Sequence, residues 1–310
     1  MNRAAPAALT LISSGSATSS AGRAAPPFAE AFESQWRALN ARKRRLTLAY
    51  GGLFAVAFFL SAWIGEFNPV KISQGLPRIH EYIVKTLPVL TWSNLPADLG
   101  EWFYGLPKWL RMLWETILIA YIGTLLGTAG ALMLCFDAAD NLKRSSWGYW
   151  VARRVLEVCR TIPDLVYALI FVFVFGIGPL AGILAIAVHS LGGNGKLFAE
   201  AAENIDMRPV DGLKAAGANW VQTVRFAVLP QVLPNFLSFA LWRFEINVRT
   251  ASIIGFVGAG GIGQEFYTAI RMLYYEDISA LILLLVVTVM LIDLGCEKLR
   301  HRMIGKENLS

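Results

Sequence analysis

Residues 116–136 read TILIAYIGTLLGTAGALMLCF, which is 21 consecutive residues without a charged side chain. Because a helix needs about 20 mainly apolar residues to cross a bilayer, this stretch predicts a transmembrane helix. Residues 46–64, LTLAYGGLFAVAFFLSAWI, predict another. The composition of the whole chain agrees, since 55% of its 310 residues are hydrophobic and only 16% are charged.

Three further apolar regions add four spans to these two. Region 165–191 is too long for one untilted helix and is interrupted by glycine and proline, which predicts a hairpin of two helices at about 150–176 and 179–200. Regions 227–242 and 278–292 are shorter and would also suit buried helices of a soluble core. In a chain that already has spans, we expect them to cross the bilayer inside a bundle. The predicted fold is an all-α membrane protein with six transmembrane helices.

Positive charges are divided unevenly between the two sides of this predicted bundle. Connecting segments on the side of the N-terminus hold 20 of the 28 Lys and Arg residues, and those on the other side hold 6. Cytoplasmic loops carry such an excess, so both termini are predicted to be cytoplasmic. We expect a disordered cytoplasmic tail at 1–35, a first transmembrane helix with a periplasmic interfacial segment at 36–110, a transmembrane core at 111–300 and a cytoplasmic tail at 301–310.

Several chemical functions find no support in the sequence. The net charge of +6 would suit nucleic-acid binding, but Lys and Arg occur in blocks between apolar runs and not along one exposed face. Three Cys and three His without a CxxC or HExxH pattern predict no metal site. Gly195-Lys196 lacks the rest of a Walker A sequence, and the spans hold no nucleophile with a base. We therefore expect no cofactor and no catalytic site in this chain.

A glycine-rich stretch lies between the last two predicted spans. Gly258, Gly260, Gly261 and Gly263 match the GxGxxG pattern, but an apolar span follows them where a dinucleotide fold needs a βαβ unit. At membrane depth, non-helical backbone is tolerated only where it is buried in protein or lines a cavity. We predict that this loop lies at a pore mouth. An ordinary external turn is the alternative.

The predicted cytoplasmic loop at 195–226 contains a short helix with defined ends. Pro209 separates a helix-like stretch at 196–207 from a second, amphipathic one at 210–218. Asp211 suits the positive end of the helix dipole, and Gly217 suits a C-terminal stop. A short capped helix in a basic cytoplasmic loop predicts a docking element for another protein.

The spacing around this helix resembles the EAA motif of ABC importer permeases, in which Glu-Ala-Ala is followed after three residues by Gly and nine residues later by IxLP. Here the motif begins at Asp211, continues with Gly217 and ends with the Ala-Val-Leu-Pro of 227–230. Asp replaces Glu, Gly-Leu replaces Ala-Ala, and Ala replaces Ile, whereas the Gly, the Leu-Pro and the spacing are kept. The coupling residues that this resemblance implies are Asp211, Gly212, Leu213, Ala216 and Gly217.

Further stretches extend the resemblance over about residues 110–300, and together they are similar to a phosphonate ABC transporter permease. They include Arg153-Arg154 with Cys159-Arg160, Val228-Leu229-Pro230-Gln231-Val232, and the segments 243–249 and 255–263.

This resemblance implies a type I importer of the bacterial inner membrane. Such an importer has a permease homodimer, two ATPase subunits that bind ATP and Mg²⁺ on the cytoplasmic side, and a periplasmic binding protein that delivers the substrate. The helix at 211–217 would sit in a cleft of the ATPase and convert its closure into permease motion. Phosphonates are the expected substrates. Phosphite, phosphate esters, methionine and other amino acids are alternatives, because the binding protein largely selects the substrate.

The fifth predicted span contains Arg243, Glu245, Asn247 and Arg249, and ionisable groups inside a span are usually functional. Counting about 1.5 Å per residue from Leu229 predicts Arg243 in the outer half and Arg249 near the outer mouth. In one interpretation, Arg243 or Arg249 attracts the anionic substrate and Asn247 donates a hydrogen bond to it. In the other, Glu245 and Arg249 form an i,i+4 pair and Arg243 extends to the interface. A receptor or scaffold without a pathway would leave these charges unexplained.

Overall fold

The computed structural model describes residues 27–304, and every regular element among them is helical. The chain divides into two compact units, one up to Leu76 and one from Pro77 onward. Most of the predicted tail at 1–35 lies outside the described residues, but its last part belongs to the first helix, which begins at Pro27. The last helix continues to Ile304, into the predicted tail at 301–310.

Twelve α-helices follow one another in the described part of the chain. They are α1 (Pro27–Ile64), α2 (Pro69–Thr86), α3 (Leu95–Trp102), α4 (Leu106–Ala138), α5 (Ser146–Thr161), α6 (Asp164–Phe175), α7 (Pro179–Glu203), α8 (Arg208–Ala215), α9 (Trp220–Thr223), α10 (Leu229–Ile254), α11 (Ile262–Met272) and α12 (Tyr275–Ile304). A π turn, Val224–Val228, joins α9 to α10, and a 3-10 turn, Gly255–Val257, follows α10.

Four helical stretches of the described residues are long and apolar enough to cross a membrane. These are Ser34–Ile64, Leu106–Ala138, Trp220–Val257 and Tyr275–Arg302. Helices α5 and α6 would make a fifth span if they are counted together, although they are bent by 88°. Length and composition therefore give at most five transmembrane helices among the described residues, and not the predicted six. Helix α7 is long enough to cross a membrane but too polar to be counted.

The bend between α5 and α6 corrects the predicted hairpin. The apolar pattern predicts one helix over 150–176, but the backbone leaves the helix at Ile162 (φ −78°, ψ 126°) and α6 begins after Pro163. A proline disfavours helical dihedrals in the residue before it, which explains the break. The second arm does begin at Pro179, as predicted, and it continues to Glu203.

Helices α4 and α7 pack closely along small residues. A Cβ atom on Gly127 would lie 2.6 Å from the carbonyl oxygen of Ala187, and one on Gly123 would lie 2.7 Å from the Ile186 side chain. Glycines four residues apart let two helix backbones approach each other where lipid gives no hydrophobic driving force. Gly123 and Gly127, both in the apolar stretch 116–136, therefore allow the close contact between α4 and α7.

Buried polar side chains join α4, α7 and α10 in the interior of the bundle. Asn247 is 2% exposed, and its Nδ2 donates to Thr124 Oγ1 (2.7 Å) and to Ser190 Oγ (2.8 Å). Asn194 Nδ2 donates to Thr128 Oγ1 (2.9 Å). In the apolar interior of a bundle, these bonds fix the rotation of each helix against the others.

Candidate functional site

The helix that the sequence predicts in the cytoplasmic loop is α8, and it ends in a Schellman motif. Gly217 has φ +83°, its N–H donates to Lys214 O (3.0 Å), and the N–H of Ala218 donates to Leu213 O (3.0 Å). Both bonds satisfy carbonyl groups that the helix end leaves without partners. Gly217 is thus the residue that ends α8, because few other residues adopt this left-handed conformation readily.

Most residues of α8 are exposed, and one buried residue, Val210, anchors the helix to the bundle. Val210 is fully buried and packs in a cluster with Phe198 and Val228, and Leu213 is half-buried against the same cluster. The other predicted coupling residues, Asp211, Gly212, Ala216 and Gly217, are exposed. The anchor fixes α8 to the bundle and leaves these residues available to a partner protein.

Gln231 connects α10 to the turn before α8 through hydrogen bonds. The sequence did not indicate a role for this residue. Its Oε1 accepts from the N–H of Asp206 (3.0 Å), and its Nε2 donates to Asp206 O (3.2 Å) and to Ala227 O (2.7 Å). Gln231 follows the Leu-Pro of the motif directly, which is the signal that could have identified it. These bonds connect the turn before α8 to the start of α10.

The loop between α4 and α5 packs against α9. Trp220 Nε1 donates to Leu142 O (2.9 Å), and the guanidinium of Arg144 stacks 4.2 Å from the Trp220 ring. The hydrogen bond from Lys143 holds the pKa of Asp140 below its usual value, so this carboxylate is ionised at neutral pH. The loop between α4 and α5 therefore lies at the same end of the bundle as α8 and α9.

The charged residues of α10 pair with α12 and not with each other, which corrects the predicted Glu245–Arg249 pair. Glu245 Oε1 lies 2.5 Å from Arg300 Nη2, and Arg249 Nη2 lies 2.9 Å and 3.1 Å from the two carboxylate oxygens of Asp293. Helical spacing predicts only partners on the same helix, whereas the partners of Glu245 and Arg249 lie on the neighbouring helix, α12.

Arg243 packs against α7, and its predicted position in the outer half of the span stays a prediction. Its guanidinium occupies the space beside Gly193, where a Cβ would come within hard contact of it, and its Nε is buried without a hydrogen-bond partner among residues 27–304. Gly193 lies nearer to the α8 end of α7 than to its start at Pro179. Arg243 therefore lies at the interface between α10 and α7, near the middle of α7.

Asn247 is not free to donate a hydrogen bond to the substrate, which was one of its predicted roles. Its side chain is enclosed by Thr124 and Ser190, so it cannot donate to a substrate without breaking the bonds that join three helices. Arg249, by contrast, is half exposed. Of the four predicted pathway residues, Arg249 is the most accessible in the single chain, because Glu245 and Asn247 are buried and Arg243 is largely enclosed.

The predicted glycine loop is folded against the starts of α4 and α7, at the end of the bundle away from α8. Gly258, Gly260 and Gly261 have φ of +90°, +86° and +74°. The N–H of Ile262 donates to Thr116 Oγ1 (2.8 Å), and Gly258 O accepts from the N–H of Gly178 (2.9 Å). The loop is tightly packed, unlike an ordinary external turn, and its role at a pore mouth stays a prediction.

Replacing Gly263 with alanine should destabilise the chain. An added Cβ would lie 2.2 Å from Ser252 O and 2.7 Å from Gly255 Cα, and both atoms belong to the backbone. Overpacking of this kind costs about 1–3 kcal/mol. Thermal unfolding in detergent would measure the effect, with Gly295→Ala as the control because nothing lies within 4 Å of its Cβ position. An unchanged melting temperature for Gly263→Ala would contradict the packing described for the loop.

The sequence of this chain is similar to those of known transport proteins. Residues 123–296 match the family described as "Binding-protein-dependent transport system inner membrane component". The chain is 36% identical over 241 residues to the phosphite transport system permease protein PtxC of Stutzerimonas stutzeri, which covers 78% of this chain and 83% of PtxC. It is 44% identical over 122 residues to the putative cryptic phosphonate transport system permease protein PhnE2 of Escherichia coli K12, which covers 39% of this chain and 100% of PhnE2.

The fold is also similar to that of a solved transporter. An inward-facing conformation of the MetNI methionine ABC transporter matches with a TM-score of 0.54 and 22% identity, over 63% of this chain and 95% of that one. Identity this low supports a common fold only. The family match covers more than half of the chain, and the similarity to PtxC extends over most of both proteins. The chain therefore belongs to the family of inner membrane components of binding-protein-dependent transport systems.

Proposed function

We propose that the chain is the permease subunit of an ATP-driven importer of phosphonates, or of the related anion phosphite, delivered by a periplasmic binding protein. The observation that carries this proposal is the similarity to permeases named for phosphite and phosphonate transport. Two copies would form the pathway. Two ATPase subunits would bind ATP and Mg²⁺ and dock on α8, so this chain itself would catalyse no reaction.

The contacts around α8 support a coupling role. Its exposed residues would receive the movement of the ATPase, and Gln231 would pass that movement to α10 through Asp206. The π turn, Val224–Val228, lies between α9 and α10, and π-helical turns are frequent at functional sites. Movement of α8 would thus shift the helix that carries Arg243 and Arg249.

We propose six spans, with α8 and both termini on the cytoplasmic side. The four long apolar stretches and the bent α5–α6 pair give five, and α7 would be the sixth. Support for α7 comes from its environment, since Ala185, Ile186 and Ser190 are buried against neighbouring helices. A span shielded by protein does not need the hydropathy of a lipid-facing helix.

The proposal is tested by uptake into proteoliposomes that contain the chain, its ATPase and its binding protein. Labelled methylphosphonate and labelled phosphite would be compared, with and without ATP. We expect ATP-dependent accumulation of at least one of them. Uptake that continues without the ATPase would contradict the coupled mechanism, and accumulation of methionine alone would overturn the proposed substrate class.

Arg249 offers a test of substrate attraction that separates it from structural pairing. Arg249→Gln should lower uptake several-fold if the guanidinium attracts the anion, and the double variant Arg249→Gln/Asp293→Asn should stay impaired. If Arg249 only neutralises Asp293, the double variant should recover, since half-exposed ion pairs contribute only about 0–1 kcal/mol. Initial uptake rates, normalised to the amount of permease in the membrane, would decide between these results.

A further inference from the structure

A charged cavity lies between α5 and α7 at the α8 end of the bundle. Its volume is about 270 Å³, and Arg153, Arg154, Arg160 and Lys196 line it together with three carboxylates, Glu157, Glu200 and Glu203. We propose that this cavity binds one tetrahedral oxyanion of the phosphate type, with Arg160 and Lys196 as its principal ligands.

Two of the three carboxylates pair with other cations, and the third, Glu200, forms only a long ion pair with Lys196. Glu203 is occupied by Arg153 Nη2 and by the N–H of Asp140 (2.9 Å). Glu157 pairs with Arg154 on the same helix. Among residues 27–304, Arg160 forms no ion pair, and Lys196 Nζ is 3.5 Å from Glu200 Oε1, which is longer than a charge-assisted hydrogen bond.

Close packing of α5 against α7 brings the two cations to the same cavity. A Cβ on Gly192 would lie 2.5 Å from Arg160 N and 2.7 Å from Leu156 O, so the last turn of α5 rests directly on α7 at this glycine. Lys196 follows Gly192 by four residues and therefore lies on the same face of α7. Arg160 and Lys196 thus approach the cavity from facing helices.

The size and the donors of the cavity fit a small anion. Pockets for drug-sized ligands measure about 300–1,000 Å³, so this volume suits a smaller molecule. A guanidinium fork and an ammonium group are the donors that phosphate oxygens prefer. The anion could be free phosphate or phosphonate, or the phosphate of a lipid headgroup, because basic pockets between transmembrane helices also bind lipid headgroups.

This site is separate from Arg249, the most accessible of the predicted pathway residues. Arg249 lies between α10 and α12, whereas the cavity lies between α5 and α7. The inference therefore does not depend on which substrate the importer carries. It rests on residues of this chain alone.

Equilibrium binding of ³²P-labelled inorganic phosphate would test the site. The chain and its ATPase would be placed in nanodiscs of phosphatidylcholine without the binding protein. We expect saturable binding of one phosphate per chain, weakened at least 10-fold in the variant Arg160→Gln/Lys196→Gln. The variant Lys298→Gln/Arg302→Gln removes two exposed charges near the end of α12 and should bind phosphate as the wild type does. Arg249→Gln should also leave this binding unchanged.

A second arm identifies the source of the anion. In nanodiscs with added phosphatidylglycerol, phosphate binding that persists would identify a free anion as the occupant. Loss of phosphate binding, with phosphatidylglycerol retained by the wild type but not by Arg160→Gln/Lys196→Gln in native mass spectrometry, would identify a lipid headgroup. Equal phosphate affinity and equal lipid retention in wild type and double variant would overturn the proposal, as would the absence of both kinds of binding in the wild type.

Discussion

Replacing Gly217 with valine should abolish most ATP-coupled uptake while the protein still reaches the membrane. Gly217 has φ +83°, and this left-handed conformation costs an ordinary L-residue about 1–2 kcal/mol and a β-branched residue more. Since 1.4 kcal/mol is a factor of ten in population, the capped form of α8 would become at least about tenfold rarer. Uptake into proteoliposomes and the amount of permease in them are the two measurements.

The cause of this loss would be conformational and not steric, because nothing lies within 4 Å of the Cβ position at Gly217. Two variants test that explanation. Gly217→Asn should keep more uptake than Gly217→Val, since asparagine tolerates the left-handed region. Gly295→Ala, a helical glycine with open space around it, should behave as the wild type. Full uptake by Gly217→Val would mean that α8 does not couple the ATPase to the permease.

Glu245→Leu should cause the largest loss of stability among the single variants considered. The Glu245 side chain is only 11% exposed and pairs with Arg300, which is 32% exposed. Removing one partner from a fully buried pair costs about 3–5 kcal/mol, because the other charge is left uncompensated. The cost here should be smaller, since part of Arg300 can still reach solvent. Thermal unfolding in detergent and the abundance of folded protein would measure it.

The matched variant for this prediction is Glu245→Leu/Arg300→Leu. Replacing both members of a buried pair with apolar residues is often neutral or stabilising, so the double variant should recover much of the lost stability. A double-mutant cycle would then give a large interaction energy. If the double variant is as unstable as the sum of the single variants, the two side chains do not form the pair that joins α10 to α12.

Much of the α8 site was predictable because its determinants are local. Proline at the start, Asp211 in the first turn and Gly217 after the last turn define a short helix whatever lies around it. The anchor was not predictable in the same way. Val210 and Gln231 act through contacts with α7, the π turn and the turn before α8, and no spacing in the sequence specifies those contacts.

The contacts of the charged residues in α10, unlike the ends of α8, could not be predicted from the sequence. The sequence located Arg243, Glu245, Asn247 and Arg249 on one span, but it gave wrong partners for Glu245 and Arg249 and did not indicate that Arg243 packs against α7. Helical spacing describes only one helix. The partners of Glu245 and Arg249 came from α12, and the neighbour of Arg243 came from α7.

By itself, then, the sequence determined that the chain is a helical membrane protein and where its short capped helix lies, because apolar length, proline and glycine act on neighbouring residues. Only the tertiary structure decided which helices meet, and with that the burial of Asn247 and the packing of the glycine loop. The physical reason is that apolar helices are nearly alike on all sides. Their arrangement is set by small-residue contacts and buried polar bonds between residues far apart in the chain.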